Sequence, residues 1–92
     1  MNTQIVLRLA NRSDAELTLA LEPWADEYSF PSGALFRIVG YAATPGEFEV
    51  EYAVERITVY AWPGATIRIF DGNREFGVGN GPREPAPPTP AV

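Results

Sequence analysis

The sequence predicts an all-β protein, an antiparallel β-sandwich of about seven to eight short strands followed by a Pro-rich C-terminal tail. Three observations carry that expectation. Apolar residues recur with a period of two in most segments, the pattern of half-buried strands. Turn residues punctuate the chain about every ten positions, the spacing of small sandwiches and barrels. Strands alternating with long helical patterns are absent, which excludes a doubly wound α/β architecture.

Along the chain, Ile5, Leu7 and Leu9 alternate with Val6, Arg8 and Ala10 and read as a first strand. Asn11-Arg12-Ser13-Asp14 is a turn cluster, and Leu17, Leu19 and Leu21 form the apolar face of a second strand, joined to the first as a hairpin. A short helix over Asp14 to Leu21 competes, because Ser13 and Glu16 have capping-box spacing. Strict alternation and the nearby Pro23 favour the strand. Glu27 to Phe30 is a short strand, and Pro31-Ser32-Gly33 turns the chain. Leu35 to Ala42 is longer, with Phe36 and Ile38 on one face and Leu35, Arg37, Val39 and Tyr41 on the other. After Thr44-Pro45-Gly46, Phe48, Val50 and Tyr52 are expected inward and Glu47, Glu49 and Glu51 outward. Arg56 to Trp62 is β-branched and aromatic. Pro63-Gly64 turns again, Thr66 to Phe70 is a strand, Asp71-Gly72 signals a tight hairpin, and Arg74 to Phe76 returns. The expected organisation is one sandwich domain over residues 1–77 and a Gly/Pro-rich tail over 78–92.

Composition narrows the chemistry. Cys and His are both absent from the 92 residues, so disulfides, thiol catalysis, His-based triads and Cys or His metal sites are excluded. No cofactor, metal site or catalytic constellation is expected. Seven basic against twelve acidic residues give a net charge of −5, which argues against nucleic acid and anionic membranes as partners. No segment reads as a secretory signal or a membrane span, so a cytoplasmic protein is the expectation. Gly77-Val78-Gly79-Asn80-Gly81 lacks the helix a phosphate loop needs, and Asp71-Gly72-Asn73 lacks the further acids of a calcium loop. The tail contains PxxP matches at Pro82–Pro85 and Pro85–Pro88, which suit a linker as well as an SH3-type partner.

Two groups of side chains invite a functional reading. Arg8, Arg37 and Arg68 lie mid-strand at polar-facing positions, and cross-strand pairs with Glu47, Glu49 and Glu51 are expected. Two such carboxylates could in principle run glycoside hydrolysis, but side by side on a flat face they lack a cleft. Trp24, Tyr28, Tyr60 and Trp62 sit near strand ends beside prolines and form the candidate binding surface. If Ile57 and Val59 face the core, Tyr60 and Trp62 are exposed and suited to stacking on a sugar or anchoring a protein. The alternative is that Trp24 and Trp62 pack together and close one end of the sandwich.

At Leu19-Ala-Leu-Glu-Pro-Trp24, Tyr28, Pro31-Ser-Gly33 and Val59-Tyr-Ala-Trp-Pro-Gly64 the chain resembles a group of small bacterial proteins of unknown function. At the turn after Trp24 it carries Ala25-Asp26 where a glycine is expected. The resemblance implies a bacterial origin and brings no site. The functional expectation is a non-enzymatic interaction or assembly domain whose partner is another protein or a second copy. A carbohydrate-binding module using the exposed aromatics is the alternative.

Overall fold

The structure is a computed structural model and describes residues 3–76. The tail expected over residues 78–92, with its PxxP matches, lies outside them. Eight strands are present among the described residues: β1 (Thr3–Ala10), β2 (Leu17–Glu22), β3 (Asp26–Phe30), β4 (Leu35–Ala42), β5 (Glu49–Ala53), β6 (Arg56–Tyr60), β7 (Thr66–Asp71) and β8 (Arg74–Phe76). The segment from Asp14 to Leu21 contains no helix. Two four-stranded sheets form, a front sheet ordered β1-β4-β7-β8 and a back sheet ordered β3-β2-β6-β5. Every neighbouring pair is antiparallel except β2 and β6, which run parallel.

The inward faces follow the alternation. Phe36, Ile38, Ile67 and Ile69 of the front sheet meet Leu17, Leu19, Leu21, Phe30 and Val59 of the back sheet in one buried cluster. Phe30 stacks on Phe36 with ring centroids 4.6 Å apart, and Phe36 meets Phe76 at 4.8 Å. The β7–β8 hairpin turns at Gly72-Asn73, where Gly72 has φ 62°. Ala25 has φ 60°, the left-handed conformation a glycine would take at that turn.

Two expectations about the scaffold are corrected. β1 and β2 do not form a hairpin; they belong to different sheets. The cause is Asn11, buried to 2% exposure. Its Nδ2 donates to the carbonyls of Ala15 and Phe30, each at 2.9 Å, and its Oδ1 accepts from the Ser13 amide at 3.0 Å. These bonds close residues 11–16 into an arch pinned to the end of β3, which carries the chain from one sheet to the other. Ser13 and Glu16 serve this arch and not a helix cap: Ser13 Oγ lies 2.6 Å from Asn11 Oδ1, and Glu16 accepts from Ser29 Oγ at 2.6 Å.

The second correction concerns β5. Phe48 is half-buried, but Val50 is 44% and Tyr52 71% exposed. β5 is the outermost strand of the back sheet, so its inward side chains have neighbours on one side only. The front sheet's outermost strand β1 shows the same thing, with Ile5, Leu7 and Leu9 half-buried.

Candidate interaction faces

The four aromatic residues singled out in the sequence do not share a surface. Trp62 follows the end of β6 and is buried, at 6% exposure, in a second cluster with Ala42 and Ala65. Its indole Nε1–H donates to the Thr44 carbonyl at 3.2 Å, and Phe48 packs edge-on against it at 5.3 Å. Two glycines make room. A Cβ on Gly40 would lie 2.7 Å from the indole Cη2, and one on Gly46 would overlap the indole directly. The Trp62-Pro63-Gly64-Ala65 turn closes with an Ala65 amide to Trp62 carbonyl bond at 3.1 Å, and Gly64 supplies φ 86°, as a type II turn requires. Exposure of Trp62, expected from strand parity, is therefore corrected: the strand ends at Tyr60 and its alternation no longer applies.

Trp24 packs against the main core cluster, so the two tryptophans go to different clusters and do not close one end together. Tyr28 is half-buried at the β3 edge, meeting Phe76 edge-on at 5.7 Å. With Phe36 and Phe76 it lines a cleft of about 250 Å³, whose charged lining groups, Asp71 and Arg74, face each other at 4.0 Å. Tyr60 alone reaches an outer face.

What the sheets do assemble is a segregation of charge. On the front sheet the ladders align Arg8 with Arg37, Arg37 with Phe70, Val39 with Arg68, and Phe70 with Glu75. These residues alternate with inward Ile38 and Ile69, so they share the outer face. Arg37 and Arg68 place their guanidinium carbons 4.7 Å and 5.4 Å from the Phe70 ring centroid, within cation–π reach. Arg68 is also held by Glu75, Nε to Oε2 at 2.8 Å and Nη2 to Oε1 at 2.5 Å. On the same face Val39, between Val6 and Arg68 in the ladders, is 4% exposed, while Val6 and Leu35 remain open. Among the described residues, neither Arg8 nor Arg37 has a carboxylate within ion-pair distance.

The outer face of the back sheet is acidic. Glu22 and Glu49 flank Tyr60 on either side, and Glu51 sits opposite Thr58. Tyr60 Oη donates a long bond to Glu51 at 3.4 Å. The nearby negative charge of Glu51, first, and of Glu22 and Glu49 raises the Tyr60 phenol above its ordinary value, because a phenolate there would face carboxylates. Farther along, Arg56 Nη1 donates to Glu27 at 2.8 Å. That pair spans β2 between its two neighbours, where the outward-facing Ala20 is fully buried.

The expected pairing of Arg8, Arg37 and Arg68 with Glu47, Glu49 and Glu51 is thus overturned for the strand residues. The arginines and Glu49 and Glu51 stand on opposite outer faces of the sandwich. Their parity was readable in each strand, but the sheet to which each strand belongs was not. Among the described residues no group of three Asp, Glu, His or Cys side chains gathers as a metal site, and no helix is long and apolar enough to cross a membrane. Comparison with protein-family models, curated proteins and solved structures returns no match for this chain.

Proposed function

We propose that the protein is a non-enzymatic protein-interaction domain that binds through the outer face of its front sheet. The observation that carries this reading is Arg8 directly opposite Arg37, with no carboxylate partner among the described residues, beside an arginine-flanked Phe70. Like charges facing each other across a ladder destabilise the sheet. Arginine and aromatic side chains over partly open apolar residues are the composition of interface centres. An acidic protein segment with apolar side chains complements this face: carboxylates for Arg8 and Arg37, apolar groups for Val6 and Leu35.

The test is an NMR titration of ¹⁵N-labelled protein with a soluble peptide of alternating Glu and Tyr, and with the matching Lys and Tyr peptide. Amides of Arg8, Arg37, Val39 and Phe70 are expected to shift with the acidic peptide, and Arg37→Glu to weaken binding at least tenfold. Equal response to both peptides, or shifts confined to other surfaces, would refute the reading.

A further inference from the structure

We infer that the acidic partner of the front face is the back face of a second copy of the same chain, so that copies stack head to tail. This rests on the interaction reading above and names its ligand. The argument is charge complementarity between two surfaces of one molecule. The front face offers Arg8, Arg37 and Arg68 against one carboxylate, Glu75. The back face offers Glu22, Glu49 and Glu51 around Tyr60, an aromatic with an apolar body and a polar tip. Apposition would give the back-face carboxylates cationic partners and place the Tyr60 ring against guanidinium groups.

Geometry sets the form of the assembly. The two faces are on opposite sides of the sandwich, so binding one leaves the other free. Such a contact is heterologous and propagates as an open stack, unlike an isologous dimer. Four strands at about 4.8 Å spacing and about six residues long present roughly 400 Å² per face, so one contact buries roughly 800 Å² in total. That is below the roughly 1,200 Å² of a standard stable interface, so association is weak and observable at high protein concentration. The net charge of −5 repels copies at long range, whereas the contact pairs act at short range. About 0.1 M salt, with a Debye length near 10 Å, suppresses the first more than the second.

The experiment is sedimentation equilibrium of the whole chain from about 0.05 to 1 mM in 0.1 M salt. It uses wild type, Arg37→Glu, which breaks the front face, and Glu51→Arg, which breaks the back face. Wild type is expected to rise past the dimer mass with concentration and to return to monomer in 1 M salt. Each variant alone is expected to stay monomeric. Their equimolar mixture is expected to associate again, because the intact front face of Glu51→Arg meets the intact back face of Arg37→Glu and the two reversed charges also complement each other. Arg8→Glu with Glu49→Arg repeats the test on different positions, and circular dichroism of each variant confirms folding. Wild type monomeric throughout, variants that still assemble, or a mixture that does not pair would each overturn the stacking. If wild type binds the Glu/Tyr peptide through Arg37 yet stays monomeric, stacking fails and the interaction reading stands. If it does neither, both fail.

Discussion

Gly40→Ala is the substitution for which packing and backbone preference predict opposite signs. Gly40 lies inside β4 between Ile38 and Ala42, on the inward face. In a generic strand, Ala in place of Gly stabilises by roughly 0.5–1 kcal/mol, because glycine loses more backbone freedom on folding. Here the added methyl would stand 2.7 and 2.8 Å from Cη2 and Cζ3 of Trp62 and 2.9 Å from Cζ of Phe48. Ordinary carbon contacts are about 3.5–4.0 Å, so both rings must retreat by roughly an ångström. Neither is free to do so. Trp62 is anchored through Thr44 and by the floor of Gly46, and Phe48 is wedged against the indole. Overpacking of this kind costs about 1–3 kcal/mol. Gly40→Ala is therefore expected to destabilise by about 1–2 kcal/mol net, read from urea unfolding followed by tryptophan fluorescence and by circular dichroism. The decisive step is the same substitution in a Trp62→Leu background, followed by circular dichroism. With the indole gone the clash is relieved, and Gly40→Ala should become neutral or stabilising. A stabilising Gly40→Ala in the intact protein, or a cost unchanged without Trp62, would refute the account of this end of the sandwich.

Three further outcomes follow from the geometry. Asn11→Ala removes the buried donor to the Phe30 carbonyl at the end of β3, whereas the exposed Ala15 carbonyl keeps Ser13 Oγ, and should cost about 1–3 kcal/mol in chemical denaturation, the cost of one buried group left unpaired. Glu55 has φ 63° in the turn between β5 and β6, so Glu55→Gly should raise stability by about 0.5 kcal/mol, the relief of left-handed strain exceeding the entropy lost; a fall in the urea midpoint would contradict this. Tyr60 ionises above the ordinary tyrosine value because of Glu51, so the folded state holds its phenolic proton more tightly than the unfolded chain. Stability linked to this group is fully present below the unfolded value and declines as pH rises through the folded one. Glu51→Gln should lower the Tyr60 pKa, seen by ultraviolet titration against a Tyr60→Phe control, and an unchanged titration would remove the carboxylate cluster as the cause.

The strands were legible in the sequence because their evidence is local. Leu35 to Ala42 is a largely apolar run of strand-forming residues with a turn at each end, and β4 has those bounds. The partition of strands between sheets was not legible. β2 pairs in parallel with β6, about 35 residues away in sequence, and no periodicity within either strand encodes that. The hairpin expected after Ala10 failed for a related reason. Asn11 looks like any turn residue until Phe30, nineteen positions on, supplies a carbonyl for it. Strand alternation says nothing reliable about Trp62, which lies two residues beyond the end of β6 and is buried. A signal existed: glycine in the middle of a β-branched strand marks a close approach by another group, and Gly40 receives an indole. The charge segregation shares the first difficulty. That Arg37 and Glu51 point outward follows from each strand alone; that they point in opposite directions follows only from the topology.

The front face also allows fold stability to be separated from binding. If it served the fold alone, a carboxylate opposite Arg37 would be the better choice. Arg8→Glu supplies one. It converts a like-charge pair into an opposite-charge pair, worth about 0.2–1 kcal/mol across a ladder, and leaves Arg37 over Phe70. The domain should therefore unfold at a slightly higher urea concentration. The same substitution places negative charge where an acidic partner is to dock, so binding of the Glu/Tyr peptide and self-association should both weaken. Opposite signs in the two assays would separate a surface shaped for recognition from one that merely tolerates two arginines. A variant that gains stability and binds as before would leave the arginine pair without a role in recognition.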